Sequence, residues 1–195
     1  MKATILISAS VIFFARCEPT KLNSPTQDDN EVKMVWQKNR RLNWSDYQGK
    51  EQKRFAVAST VYSMYRTVYI DSNKNIMASV KAIFYPRDSW KSSYIDDVVL
   101  AHEQKHFDIV ELYARKLRKQ LSELKVKDET DAQNKLDSLY IILDKEMDIF
   151  QDKYDNDTDY STAHDEQQSW IQNIDAAIDN LVDYQNTEVQ LKKIF

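Results

Sequence analysis

Few residues in this chain have the types and spacing to do chemistry. The run His102-Glu103-Gln104-Lys105-His106 sets two imidazoles four positions apart, with a carboxylate beside the first. On a helix such positions lie about 40° apart in azimuth, so both rings can reach one metal ion from adjacent turns. The neighbouring Glu103 is then held where it can take a proton from a water on the metal. Neutral imidazole suits Zn²⁺, and two imidazoles leave room for a third protein ligand and a water. The bland alternative is a pair of hydrogen-bonded core histidines, because His102 and His106 share a stripe with Ile95, Val98, Val99, Ile109, Val110, Tyr113 and Leu117. Burying three polar groups there costs roughly 1–3 kcal/mol for each one left unpaired, a cost that an ion offsets and apolar packing does not.

The same geometry limits the third ligand. Glu111 is turned about 140° from His106 and Asp108 about 160°, so neither closes the site from this helix. With Gln104, Arg115 and Arg118 they form the opposite side, expected to be a solvated charged face. The ligand must come from elsewhere, and the one other histidine is His164, expected near the start of a later helix. Tyr160 is a second candidate, whose phenol could ligate or donate to a developing oxyanion; its alternative is a packing aromatic. A calcium reading covers the same stretch, since Asp155, Asp157, Asp159 and Glu166 mimic an EF-hand loop. That loop needs Gly at its sixth position, where Tyr160 stands, so a solvated acidic loop is the better default.

These residues must be positioned by a fold. From Phe55 to Ile70 the chain alternates, with Ala56, Ala58, Thr60, Tyr62, Met64, Val68 and Ile70 on one face. The polar turn Asp71–Asn75 leads to a second alternating run with Ile76, Ala78, Val80, Ala82 and Phe84 inward, which predicts a hairpin. Met34–Trp36 and Leu42–Trp44 could add a strand, with Gly49 in the loop that follows. Beyond Pro86 the pattern turns helical, over roughly 93–126, 129–154 and 162–184. Strands first and helices afterwards predict an α+β domain, a small antiparallel sheet packed on three C-terminal helices with a zincin-like active helix.

The beginning of the chain reads as an address. Lys2 and the apolar run Ala3–Ala15 predict a signal peptide over 1–17, then a polar linker over 18–31 and one domain over 32–195. Lipidation of Cys17 is the weaker alternative, because Arg16 occupies a position where such signals want a small residue. No other stretch is long and apolar enough to span a bilayer, so the expected protein is exported, periplasmic or secreted. With 27 Lys plus Arg against 31 Asp plus Glu, the net charge of −4 argues against a nucleic-acid partner; the expected partner is a peptide or protein substrate. A single Gly disfavours Gly-rich phosphate loops and dinucleotide folds.

Taken together, several segments resemble a known family. They are Leu42-Asn-Trp44-Ser-Asp46-Tyr47-Gln-Gly49, Ser89-Trp90, Ala101-His-Glu-Gln-Lys-His-Phe-Asp-Ile109 with Glu111 and Ala114-Arg115-Lys116-Leu117, Tyr154-Asp155 with Thr158, and Gln167 with Trp170. The resemblance is to domain of unknown function 922, a group of bacterial exported proteins described as predicted zinc-dependent proteases. It implies that His102 and His106 are metal ligands and that Glu103 is the catalytic base. Family members often carry a His two residues after the Thr, where this chain has Tyr160. The reading that follows is an exported zinc metallopeptidase with Zn²⁺ on His102, His106 and His164, Glu103 as base and Tyr160 assisting. Its competitor is a non-catalytic exported protein with a structural metal site or buried histidines.

Overall fold

The computed structural model describes residues 32–52 and 56–194, so the expected signal peptide, the linker and Phe55 lie outside the described residues. The architecture is α+β, with three long helices and small sheets. Strands β1 (Met34–Val35), β2 (Ala58–Ser59), β3 (Tyr62–Ile70), β4 (Ile76–Phe84) and β5 (Trp90–Lys91) come first. Then follow α1 (Asp97–Glu123), β6 (Lys125–Val126), α2 (Glu129–Asp157), α3 (His164–Asp179), β7 (Glu188–Gln190) and β8 (Lys192–Lys193).

The expected hairpin is β3–β4, in register from Tyr62 opposite Phe84 to Ile70 opposite Ile76. Its turn is set by Asp71, whose Oδ1 accepts the backbone N–H groups of Asn73 and Asn75 at 2.9 and 2.8 Å, while Lys74 takes a left-handed φ of 68°. Strand β4 is central, with β3 on one side and β1 and β7 on the other, all antiparallel. All five of its expected inward residues are buried. In β3 only Met64 and Val68 of the expected set are buried; Ile70, beside the solvated turn, stays 43% exposed. The alternating run breaks before Tyr62, and Ala58–Ser59 pairs instead with Trp90–Lys91. Leu42–Trp44 adds no strand: Trp44–Asp46 is one 3-10 turn capped by the Asn43 side chain. Gly49 is needed for close approach, since a Cβ there would sit 2.7 Å from the Ser89 carbonyl oxygen.

Helix α1 starts at Asp96, whose side chain accepts the Val99 N–H, and α2 starts at Asp128, which accepts from Asp131. The chain between Pro86 and the C-terminus holds no Gly or Pro, so nothing interrupts these helices internally. Helix α2 gives way to three consecutive left-handed residues, Asp159, Tyr160 and Ser161 (φ 42°, 51° and 80°). Each costs roughly 1–2 kcal/mol without glycine, so the surrounding structure must hold this reversal.

Helix α1 packs against α2, α3 and β4 together. The expectation of a solvated charged face is therefore corrected: Gln104, Asp108, Glu111, Arg115 and Arg118 are all buried. Glu111 accepts from the Arg115 Nε at 2.8 Å and from both Arg118 terminal nitrogens, at 3.1 and 2.7 Å. The two guanidinium groups also donate to the carbonyls of Ile178, Val80 and Tyr184. Asp108 accepts from Trp36, Arg41, Gln104 and Lys105. Pairing within the helix and donation to neighbouring backbone satisfy these charges without solvent.

Candidate metal centre

His102 and His106 project from the N-terminal part of α1 toward α2, and both belong to the side of α1 opposite the arginine network. Their Nε2 atoms lie 3.2 Å apart. Asp155 of α2 brings Oδ1 within 3.1 Å of the first Nε2 and 2.9 Å of the second. His102, His106 and Asp155 thus form a group of three ligand atoms able to hold a metal ion. Donors at about 2.0–2.1 Å from a tetrahedral ion stand about 3.4 Å from one another, close to the spacing seen here.

The protons around the site make the case sharper. The Gln151 amide donates its Nε2–H to the His106 backbone carbonyl at 3.0 Å, which fixes its orientation. Its Oε1 then faces His106 Nδ1 at 2.6 Å and must accept the ring proton. Thr158 spends its hydroxyl hydrogen on the Tyr154 carbonyl at 2.7 Å, so its oxygen offers a lone pair to His102 Nδ1 at 3.4 Å. With both Nδ1 atoms protonated, neutral rings would direct two Nε2 lone pairs at a carboxylate oxygen. Three acceptors converging at this distance repel one another unless positive charge lies among them. Burial pulls the His106 pKa down, but Asp155 and Glu103 overcome it and lift it to about 9. Burial also opposes ionisation of Asp155, yet the two rings hold its carboxyl well below the usual carboxylate range. In the metal-free protein that positive charge is the proton on His106, and the three ligand atoms could hold a divalent ion in its place once the proton leaves.

Packing fixes the rings. Tyr154, fully buried, stacks on His102 with centroids 4.6 Å apart and meets His106 edge-on at 5.3 Å. Gln151, Tyr154, Asp155 and Thr158 follow one another at i, i+3, i+4 and i+7, so a single face of α2 supplies the carboxylate, both Nδ1 acceptors and the stacking ring. That spacing was readable in the sequence, although Asp155 reads there as an acidic-loop residue. Its place inside α2, beside two imidazoles, also removes the EF-hand reading.

Glu103 is 7% exposed, and its Oε2 has no hydrogen-bond partner among the described residues. Its charge is felt by His106, Tyr154 and Tyr47. The Tyr47 hydroxyl bonds Thr60 Oγ1 at 2.7 Å, and Thr60 donates to the Glu103 carbonyl at 3.3 Å. His164 is not brought to the pair: it is an exposed residue at the first position of α3, outside the ligand group. The left-handed reversal at 159–161 turns the chain away after Asp155, and the carboxylate takes the place expected for the third imidazole. Tyr160 lies on that reversal, 51% exposed, close enough for the Asp155 charge to help burial raise its pKa.

Fold and site together define an α+β protein with a His-Glu-x-x-His helix completed by an aspartate as a candidate metal centre. A family model described as "Bacterial protein of unknown function (DUF922)" matches residues 20–165, and the chain belongs to that family. The matched stretch contains His102, Glu103, His106, Gln151, Asp155 and Thr158. No curated protein and no solved structure matches the chain.

Proposed function

We propose that this protein is a zinc-dependent peptidase of exported location, with His102, His106 and Asp155 holding the ion. The observation that carries the reading is the convergence of two Nε2 atoms and Asp155 Oδ1, each imidazole with an oxygen against its other nitrogen. A divalent ion bound there would polarise a peptide carbonyl and lower the pKa of a water. Two nitrogens and one oxygen, leaving a position for substrate, suit zinc in a hydrolytic role. Glu103 takes the proton from the attacking water and returns it to the leaving amine; its orphan Oε2 is the buried acceptor free for that task. Tyr160, exposed beside Asp155, is the candidate donor to the developing oxyanion. Among the described residues no helix is long and apolar enough to cross a membrane, which accords with an exported enzyme.

Burial favours one competing reading. The side chains of His102 and His106 are 5% and 13% exposed, against 28% for Asp155, so the ion could serve only to staple α1 to α2. Glu103→Gln separates the two. The peptidase reading expects one zinc per chain in both proteins and hydrolysis of an unfolded protein substrate in the parent alone. Zinc without hydrolysis in the parent supports the staple, and absence of zinc removes both readings.

A further inference from the structure

At the end of α1 remote from His102 and His106, a cleft of about 430 Å³ opens between the β3–β4 turn and the C-terminal strands. Lys74, Lys192 and Lys193 line it, with Asn75, Ile76 and Gln190. Lys125 joins them, because β6 pairs in parallel with β8 and Lys125 stands opposite Lys192. All four lysines are exposed, and none makes an ion pair among the described residues. Of the acids nearest in sequence, Asp71 caps its own turn, Asp128 caps α2 and Glu188 accepts from Ser79, Tyr69 and Lys81, while Glu123, two residues before Lys125, stands exposed. In a chain of net charge −4, four unpaired cations around one concavity form a local field opposite in sign to the whole. Two large apolar residues stand with them. Ile70, 43% exposed, faces Ile76 across the hairpin, and Ile194, 39% exposed, follows Lys193.

We propose that this end of the molecule docks on a bilayer surface rich in anionic phosphate headgroups. The lysines meet the phosphates, and the two isoleucines enter the headgroup boundary. Lysines beside exposed aliphatic side chains suit a lipid interface, where the charge attracts and the apolar groups partition; a soluble polyanion would use the lysines alone. The geometry gives the docking a direction. His106 lies seventeen residues before Glu123, the last residue of α1, about 26 Å at 1.5 Å per residue, so the metal centre would stand well clear of the membrane.

The test is co-sedimentation of the full chain with vesicles of phosphatidylglycerol mixed with phosphatidylcholine, against phosphatidylcholine alone. The apolar run at residues 3–15 could bind lipid of either charge, so the readout is the ratio of the two affinities. The parent is expected to prefer anionic vesicles, with a preference that falls as salt rises. The variant K74Q/K125Q/K192Q/K193Q should lose that preference by on the order of 100-fold or more. I70S/I194S should keep the salt dependence and bind anionic vesicles several-fold more weakly. Equal binding to both vesicle types overturns the proposal, as does a quadruple variant that behaves like the parent. Inorganic polyphosphate that competes through the lysines, with no effect of I70S/I194S on vesicles, replaces the membrane with a soluble polyanion. None of these outcomes bears on the peptidase reading.

Discussion

Helix α1 carries two buried polar clusters, and their contrast separates structure from chemistry. Toward the sheet and the C-terminal segment, Glu111 is matched by Arg115 and Arg118, whose remaining donors reach backbone carbonyls. Toward α2, two imidazoles and the Asp155 carboxylate converge on one point, held together in the metal-free protein by the proton on His106, and Glu103 Oε2 has no partner among the described residues. The first cluster is complete in the protein alone and needs nothing from outside. The second is held by an exchangeable cation, a proton on His106 or a metal ion in its place. Polar groups buried at a cost, with their partners missing, mark a site that binds something.

The largest expected effect comes from breaking the complete cluster. Glu111→Ala leaves two guanidinium groups buried without their carboxylate, at a cost of about 3–5 kcal/mol in chemical denaturation. Zinc affinity of the remaining folded protein should be unchanged. At the open cluster the order reverses. Asp155→Asn should abolish tight zinc binding, measured by competition with a chromogenic chelator, and also lower metal-free stability at pH 7, because the carboxylate that lifts the His106 pKa is lost. Gln151→Leu should weaken zinc by about 10–100-fold, because the His106 ring loses the acceptor that fixes its tautomer. Glu103→Gln should leave zinc affinity intact and lower hydrolysis by about 10²–10⁴-fold.

The smallest effect is a pH dependence away from both clusters. Glu188 of β7 is opposed by burial, but Ser79, Tyr69 and Lys81 together hold its pKa below the ordinary value. Its contribution is therefore present above the unfolded pKa of about 4.3 and fades as pH falls through the lower folded value. Glu188→Gln should narrow the difference in thermal midpoint between pH 7 and pH 3.

Much of this was legible in the sequence where local pattern decides. The β3–β4 hairpin and the three helices follow from alternation, helical period and the Asp71 turn. His102, Glu103 and His106 follow from a spacing that only a helix makes useful. Burial of the charged face of α1 was not legible, because it depends on three elements packing around one helix. Glu111 with Arg115 and Arg118, at i+4 and i+7, was the available signal of self-neutralisation. His164 was favoured because imidazole is a common zinc ligand, whereas Asp155 sits among so many acids that its type alone says little. Its spacing to Gln151 and Thr158 distinguishes it, and that spacing acquires meaning only once α2 is seen against α1. Strands β6, β7 and β8 are two or three residues long, too short for any period to appear.

The central claim is that the imidazoles of His102 and His106, with the Asp155 carboxylate, take up one divalent ion through their Nε2 atoms. Long-range ¹H–¹⁵N correlation spectra of the side-chain imidazoles, recorded with and without one equivalent of Zn²⁺, test it directly. The expected result is a zinc-induced shift of Nε2 in His102 and His106, both Nδ1 atoms staying protonated, with the His164 ring unmoved. A shift of His164 together with the pair, or no shift in any of the three rings, would contradict the account.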